Sequence, residues 1–104
     1  MENTNKKIAD ILREIIRLLD IKGKIEKSTA YRKFNYQKAA KALDNLDEDI
    51  SLIYKKSGVS GVRNVLGIGE KMAKKILKYL KKKKIKDYEK LKEDTVLQQI
   101  ITHF

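Results

Sequence analysis

Gly67 and Gly69 stand directly ahead of a segment in which Met72, Ala73, Ile76, Tyr79 and Leu80 recur at helical spacing and lysines fill most remaining positions. Glycine reaches backbone conformations closed to other residues, so Leu66-Gly67-Ile68-Gly69 predicts a tight turn opening onto the N-terminus of a helix from Glu70 to about Lys82. The run Ser60-Gly61-Val62-Arg63-Asn64-Val65 ahead of it predicts a short helix. The unit over residues 60–82 is therefore helix, glycine turn, helix.

The rest of the chain is readable as helices that present this unit. Ile8, Ile11, Leu12, Ile15, Ile16 and Leu19 form the apolar stripe of a helix that Asn3 or Thr4 can cap and that ends near Gly23. After a polar link, Lys24 to Ser28, Thr29 can cap a second helix to about Asn45. Its apolar positions include Phe34, Tyr36, Ala39, Ala40, Leu43 and Leu46, with Arg32, Lys33 and Lys38 on its polar edge. The Ala39-Ala40 pair suits close approach to another helix, and Arg32 and Tyr36, four apart, share a face. Asp47, Glu48 and Asp49 favour the start of a third helix, for which Gly58 serves as a left-handed C-cap. Ile85 to Asp94 holds a short element, and Thr95-x-x-Gln98 forms a capping box for a last helix over about 95–104, with Leu97, Ile100, Ile101 and Phe104 at helical spacing. No stretch alternates like a strand. The fold class expected is all-α, a compact bundle of short helices in one domain over 1–104.

Composition narrows the chemistry. The 104 residues contain no cysteine, proline or tryptophan, which removes disulfides, thiolate metal sites and proline kinks. No metal site is expected. The first residues lead into apolar positions interrupted by Asp10, Arg13, Glu14 and Arg17, so neither a signal-peptide core nor a membrane span is present there. A soluble intracellular protein follows, in the cytoplasm, nucleoid or nucleus, with a monomer favoured and no membrane partner. The formal net charge is +11 and is lopsided: residues 1–50 carry 11 Lys/Arg against 9 Asp/Glu, residues 51–104 carry 14 against 5. Nine lysines and no acid lie between Lys71 and Lys86. A polyanion is the natural partner of such a face. His103, the single histidine, sits at the C-terminal edge and reads as a surface residue.

The glycine turn is not a dinucleotide fingerprint, because no strand precedes it and Met72 stands where a third glycine is needed. A Walker loop is excluded too, as no Gly-Lys-Ser/Thr follows. The remaining pattern resembles the helix-hairpin-helix motif of DNA-binding proteins, in which backbone N–H groups of the turn meet a DNA phosphate without reading sequence.

Over about residues 8–92 the resemblance becomes more specific. Phe34-Asn35-Tyr36-Gln37-Lys38-Ala39-Ala40-Lys41-Ala42-Leu43, then Asp49-Ile50, then Val65 through Ile76, and Tyr88-Glu89-Lys90-Leu91 resemble the N-terminal eight-kilodalton domain of the DNA polymerase beta-like family X. That resemblance implies binding to the 5′-phosphate side of gapped or nicked DNA in repair. In some members it also implies removal of a 5′-deoxyribose phosphate by β-elimination through a lysine Schiff base. Lys75 falls at the Schiff-base position, Lys71 and Arg32 at phosphate-binding positions, and Tyr36 at a tyrosine of the lyase pocket. Gly67, Ile68 and Gly69 would supply backbone donors, with Lys74, Lys78 and Lys84 adding charge. No cofactor is required, beyond a monovalent cation that the resemblance places at the Gly67–Gly69 turn. Tyr31 replaces the family's histidine, Leu66 its proline, and a further basic contact of the family, near Asp87, has become acidic here. A Schiff-base lysine attacks as the neutral amine, a form that crowding by Lys71, Lys74 and Lys78 would favour.

Three functional expectations therefore stand together: sequence-nonspecific binding of gapped, nicked or 5′-phosphorylated DNA, a 5′-deoxyribose phosphate or abasic-site lyase using Lys75, and a protein-interaction module with a basic helix. No nucleotidyltransferase carboxylate set follows the domain within the 104 residues, so no polymerase activity is expected.

Overall fold

The structure, a computed structural model, describes the backbone of residues 3–23 and 29–102 and the side chains of residues 3–21 and 32–94. It contains five helices: α1 (Thr4–Gly23), α2 (Thr29–Asp44), α3 (Ile50–Arg63), α4 (Glu70–Lys82) and α5 (Lys86–Thr102). Among the described residues there is no strand, and the fold is all-α. The link at Lys24 to Ser28, the side chains of Thr29 and Tyr31, and those of Leu97, Ile100, Ile101, His103 and Phe104 lie outside the described residues. No described helix is long and apolar enough to cross a membrane.

The bundle is built on α1, which packs along α2 and also meets α5 and α3. Its stripe delivers Ile8, Leu12, Ile15 and Leu19 to full burial, opposite Tyr36, Ala39, Ala40 and Leu43 of α2. Small Ala39 and Ala40 let the two backbones approach, as their pairing predicts. Ile50 and Val62 of α3, Met72, Ala73, Ile76 and Tyr79 of α4, and Ile85 and Leu91 complete one core. Each large aliphatic side chain so buried contributes about 1.5–3 kcal/mol. Phe34 does not join them: it is 59% exposed, against 3% for Tyr36 two residues on. Its position on α2 turns it outward, which its hydrophobicity alone did not indicate.

The N-terminus of α1 is stitched to that of α3. Asn3 caps α1 by accepting from the Lys6 N–H at 3.1 Å. The Thr4 N–H donates to Asp49 Oδ2 (3.0 Å), the Asn5 side-chain amide donates to the Glu48 carbonyl (2.9 Å), and the Ile50 N–H donates to Asn5 Oδ1 (2.7 Å). Asp49 is also the N-cap of α3, accepting from the Ser51 N–H at 2.8 Å. Burial opposes its charge, but the bonds from Ser51 and Thr4 outweigh that and hold its carboxyl below the usual range. Among the described residues no buried side-chain polar atom lacks a partner.

Two departures concern helix ends. α3 is broken internally at Gly58, whose φ of 64° and ψ of −152° lie in a region essentially reserved for glycine. The positive φ agrees with the expected cap, but ψ is not that of an αL residue, and the chain re-enters a short helical segment at once. In contrast, α5 runs unbroken through Thr95, so the capping box expected there does not start a new helix. Glu93-Asp94-Thr95 contains no glycine or proline to interrupt the ladder, and propagation prevails over a local capping signal.

Candidate functional site

The turn between α3 and α4 is shaped by its glycines and by two backbone bonds. Gly67 has φ 95°, and a Cβ built on it would lie 2.9 Å from the Ala42 Cβ and 3.6 Å from the Lys38 carbonyl oxygen. The turn therefore rests directly on α2. The Ile68 N–H donates to the Val65 carbonyl (3.1 Å), and the Ile68 side chain is buried. Ile68 thus holds the shape of the turn from within and is not one of the free donors expected of it. Leu66, at the tip, is 94% exposed. Arg63 and Glu70 approach to 3.8 Å across the hairpin, an exposed pair worth little by itself.

α4 begins at Glu70, and its N-cap Gly69 makes no side-chain capping bond. Its first-turn N–H groups have no intrahelical acceptors. Beside this helix start lies a cleft of about 510 Å³ lined by Arg32, Asn35, Tyr36 and Lys38 of α2, Gly67 and Gly69 of the turn, Glu70, Lys71, Met72 and Lys75 of α4, and Asp87 of α5. Gly69 has φ −82° and ψ 179°, and a Cβ on it would meet nothing within 4 Å. Any residue could adopt that backbone. The fold itself does not require a glycine at the cleft wall.

At the floor, one carboxylate oxygen gathers two donors. The Tyr36 hydroxyl donates to Asp87 Oδ2 at 2.6 Å, and the Lys75 ammonium donates to the same atom. The Lys75 Nζ also lies 5.8 Å from the centroid of the Tyr36 ring. Burial opposes the charge of Asp87, yet Lys75 and Tyr36, with Arg32 nearby, hold its carboxyl below the usual range. Burial first and the Asp87 bond second push the Tyr36 phenol well above its ordinary value, so it stays a donor. Asp87 lies in the first turn of α5, where the helix dipole also favours a carboxylate.

The cleft thus brings together Arg32, Tyr36, Gly67, Gly69, Lys71 and Lys75 from the expected set. Lys74, Lys78 and Lys84 are exposed but do not line it, and belong to the surrounding cationic surface. Lys38, Asn35, Glu70 and Met72 join the lining without having been expected there. Asp87 is the main surprise. Its contacts reach 51 residues back to Tyr36 and 12 back to Lys75, separations that no local pattern carries. It also gives Lys75 an anionic partner that crowding by lysines alone leaves out.

A monovalent cation at the turn would rest on backbone carbonyls. Those of Val65 and Gly69 already accept one bond each, from Ile68 and Ala73, and each keeps a second lone pair. No group of three or more His, Cys, Asp or Glu among the described residues could hold a metal ion. The sequence profile of the helix-hairpin-helix domain family matches residues 3–85. No curated protein and no solved structure matches the chain.

Proposed function

Because the chain belongs to the helix-hairpin-helix domain family, whose members generally bind DNA without sequence specificity, we propose that it grips the phosphate backbone of gapped, nicked or 5′-phosphorylated DNA in DNA repair. The observation that carries this reading is the cleft itself. An uncapped helix N-terminus, a glycine without intramolecular need, and Arg32, Lys38, Lys71 and Lys75 face one concavity. A phosphate entering it would meet backbone N–H groups from the turn side and cations from both walls. No base edge is read in this arrangement, so affinity is governed by charge.

The test is a titration of fluorescently labelled DNA carrying a single-nucleotide gap with a 5′-phosphate, repeated across a salt series. With roughly four cationic contacts, log affinity should fall with log salt at a slope of about −4. Two unrelated sequences should give nearly equal affinities. Affinity that ignores salt, or that follows sequence, would sink the reading.

A second reading is a 5′-deoxyribose phosphate lyase, and it draws on one observation: the Lys75 amine lines the cleft, held there by its ion pair with Asp87. In that reading the Lys75 ammonium leaves its ion pair with Asp87, loses its proton to solvent, and the neutral amine attacks the sugar aldehyde to form the Schiff base with release of water. Borohydride should then trap an adduct with incised abasic DNA that Lys75→Ala abolishes. No adduct from the wild-type protein under conditions of saturated binding would dispose of it.

A further inference from the structure

Phe34 is the one fully apolar aromatic side chain that the described part of the protein leaves largely outside its core, with 59% of its surface exposed. It occupies α2 beside the residues that line the cleft. Around the helix it stands about 40° from Lys38 and about 100° from Asn35, and Lys38 is one turn further along the axis. One turn beyond Lys38 is Ala42, where Gly67 of the turn touches α2. The phosphate-facing turn, Lys38, the Asn35 amide and the open phenyl ring are therefore ordered along one helix, roughly 12 Å from end to end.

Resting on the phosphate-binding reading above, we propose that Phe34 is a stacking platform for an unpaired base of the same DNA, next to the phosphate held at the turn. The ring has no hydrogen-bonding group, so it offers a flat apolar face that any base can cover. Bases within a continuous duplex already stack on both neighbours and have no free face to give. Those in a gap, a frayed end or a single strand do. Arg32, Lys38 and Lys71 around the cleft favour a polyanion over an apolar or basic protein surface as the occupant. The half-buried Asn35, next to Phe34 in the chain, lines the cleft itself, so the ring adjoins the cleft along α2. Phe34 thus supplies what the turn lacks: a means of telling interrupted DNA from intact DNA.

The sequence contains no tryptophan, so Phe34→Trp places a single indole reporter at the site. Binding of the wild-type protein, Phe34→Ala and Phe34→Trp is measured by anisotropy competition against gapped DNA and against covalently closed circular duplex, which has no ends. Phe34→Ala should weaken binding to gapped DNA at least about fivefold, the low end for losing one stacked base, and leave the closed duplex unchanged. Phe34→Trp should retain the affinity, and its emission should be quenched by gapped DNA alone. Because the side chain is exposed, both variants should melt with the wild type. Equal weakening on the two DNAs, or unchanged binding to gapped DNA, overturns the stacking role while leaving DNA binding in place. Absence of wild-type binding to either DNA overturns both proposals.

Discussion

Lys75 and Asp87 are ion-paired at the floor of the cleft, with Tyr36 donating to the same carboxylate oxygen. An acid therefore occupies the centre of a cationic site, in the position an incoming phosphate oxygen would seek. Any anion that enters must share or displace it.

Replacing that acid tests how strongly it competes. Asp87→Asn keeps an acceptor for Tyr36 but removes a negative charge from the cleft in which the phosphate is proposed to bind. DNA affinity should rise by roughly fivefold, about 1 kcal/mol for one charge in a partly solvated site. Stability should fall by about 1 kcal/mol from the weakened charge-assisted bonds. Fluorescence titration and urea unfolding of the same preparations check the two effects, and lower affinity would show that Asp87 serves the site by positioning Lys75.

The two glycines of the turn should respond differently to alanine. At Gly67 the added Cβ meets Ala42 at 2.9 Å in a positive-φ conformation, so Gly67→Ala should destabilise the fold by more than about 1 kcal/mol. At Gly69 the Cβ meets nothing, and Gly69→Ala should cost less than about 1 kcal/mol while reducing DNA affinity severalfold, because the methyl group intrudes where the backbone and phosphate meet. Melting curves paired with binding isotherms separate the two. Full affinity in Gly69→Ala would mean that no ligand approaches that wall closely.

Lys83 ends α4 in the left-handed region, with φ 59° and ψ 25°, and its N–H donates to the Tyr79 carbonyl at 2.7 Å. Glycine is the residue suited to that place. Lys83→Gly should be more stable than Lys83→Ala by about 1 kcal/mol, both having lost the ammonium, so that their difference isolates the backbone. For a domain of this size that difference is roughly 4–8 °C in melting temperature.

Acid sensitivity should follow Asp49 and Asp87, whose carboxyls are both held below their usual range. A depressed folded-state value adds stability above the unfolded carboxylate pKa of about 3.9, and that stability is lost as pH falls through the folded value. Urea midpoints should therefore be level from about pH 5 to 8 as far as these groups are concerned, and drop below about pH 4. Asp49→Asn should lower the midpoint at neutral pH and make the acid decline shallower. An unchanged acid limb would assign the decline to other carboxylates.

Much of this architecture is legible in local pattern. The bounds of α1, α2 and α4, the break at Gly58 and the buried face of α4 all follow from apolar periodicity and glycine placement, which act within a few residues. Thr95 shows where local signals end: a good capping pattern is overridden because the preceding turn gives no reason to stop. Phe34 shows another limit, since an apolar residue near the edge of a stripe carries no mark of which way tertiary packing will turn it. In the site, Arg32 and Tyr36 share a face by helical spacing alone, and Lys71 and Lys75 do likewise. Their meeting with Asp87 depends on how α2, α4 and α5 converge, and the Ile68 N–H is lost to a bond that only the folded turn defines.

The contact of Gly67 with Ala42 sets more than the conformation of one turn. α2 and α4 form opposite banks of the cleft, and this is where the loop leading into one bank is seated on the other. A side chain bulkier than alanine at position 42 would act as a spacer, lifting the turn and widening the gap between Arg32 and Lys71. The width of the cleft is thus gauged by a methyl group that does not line it.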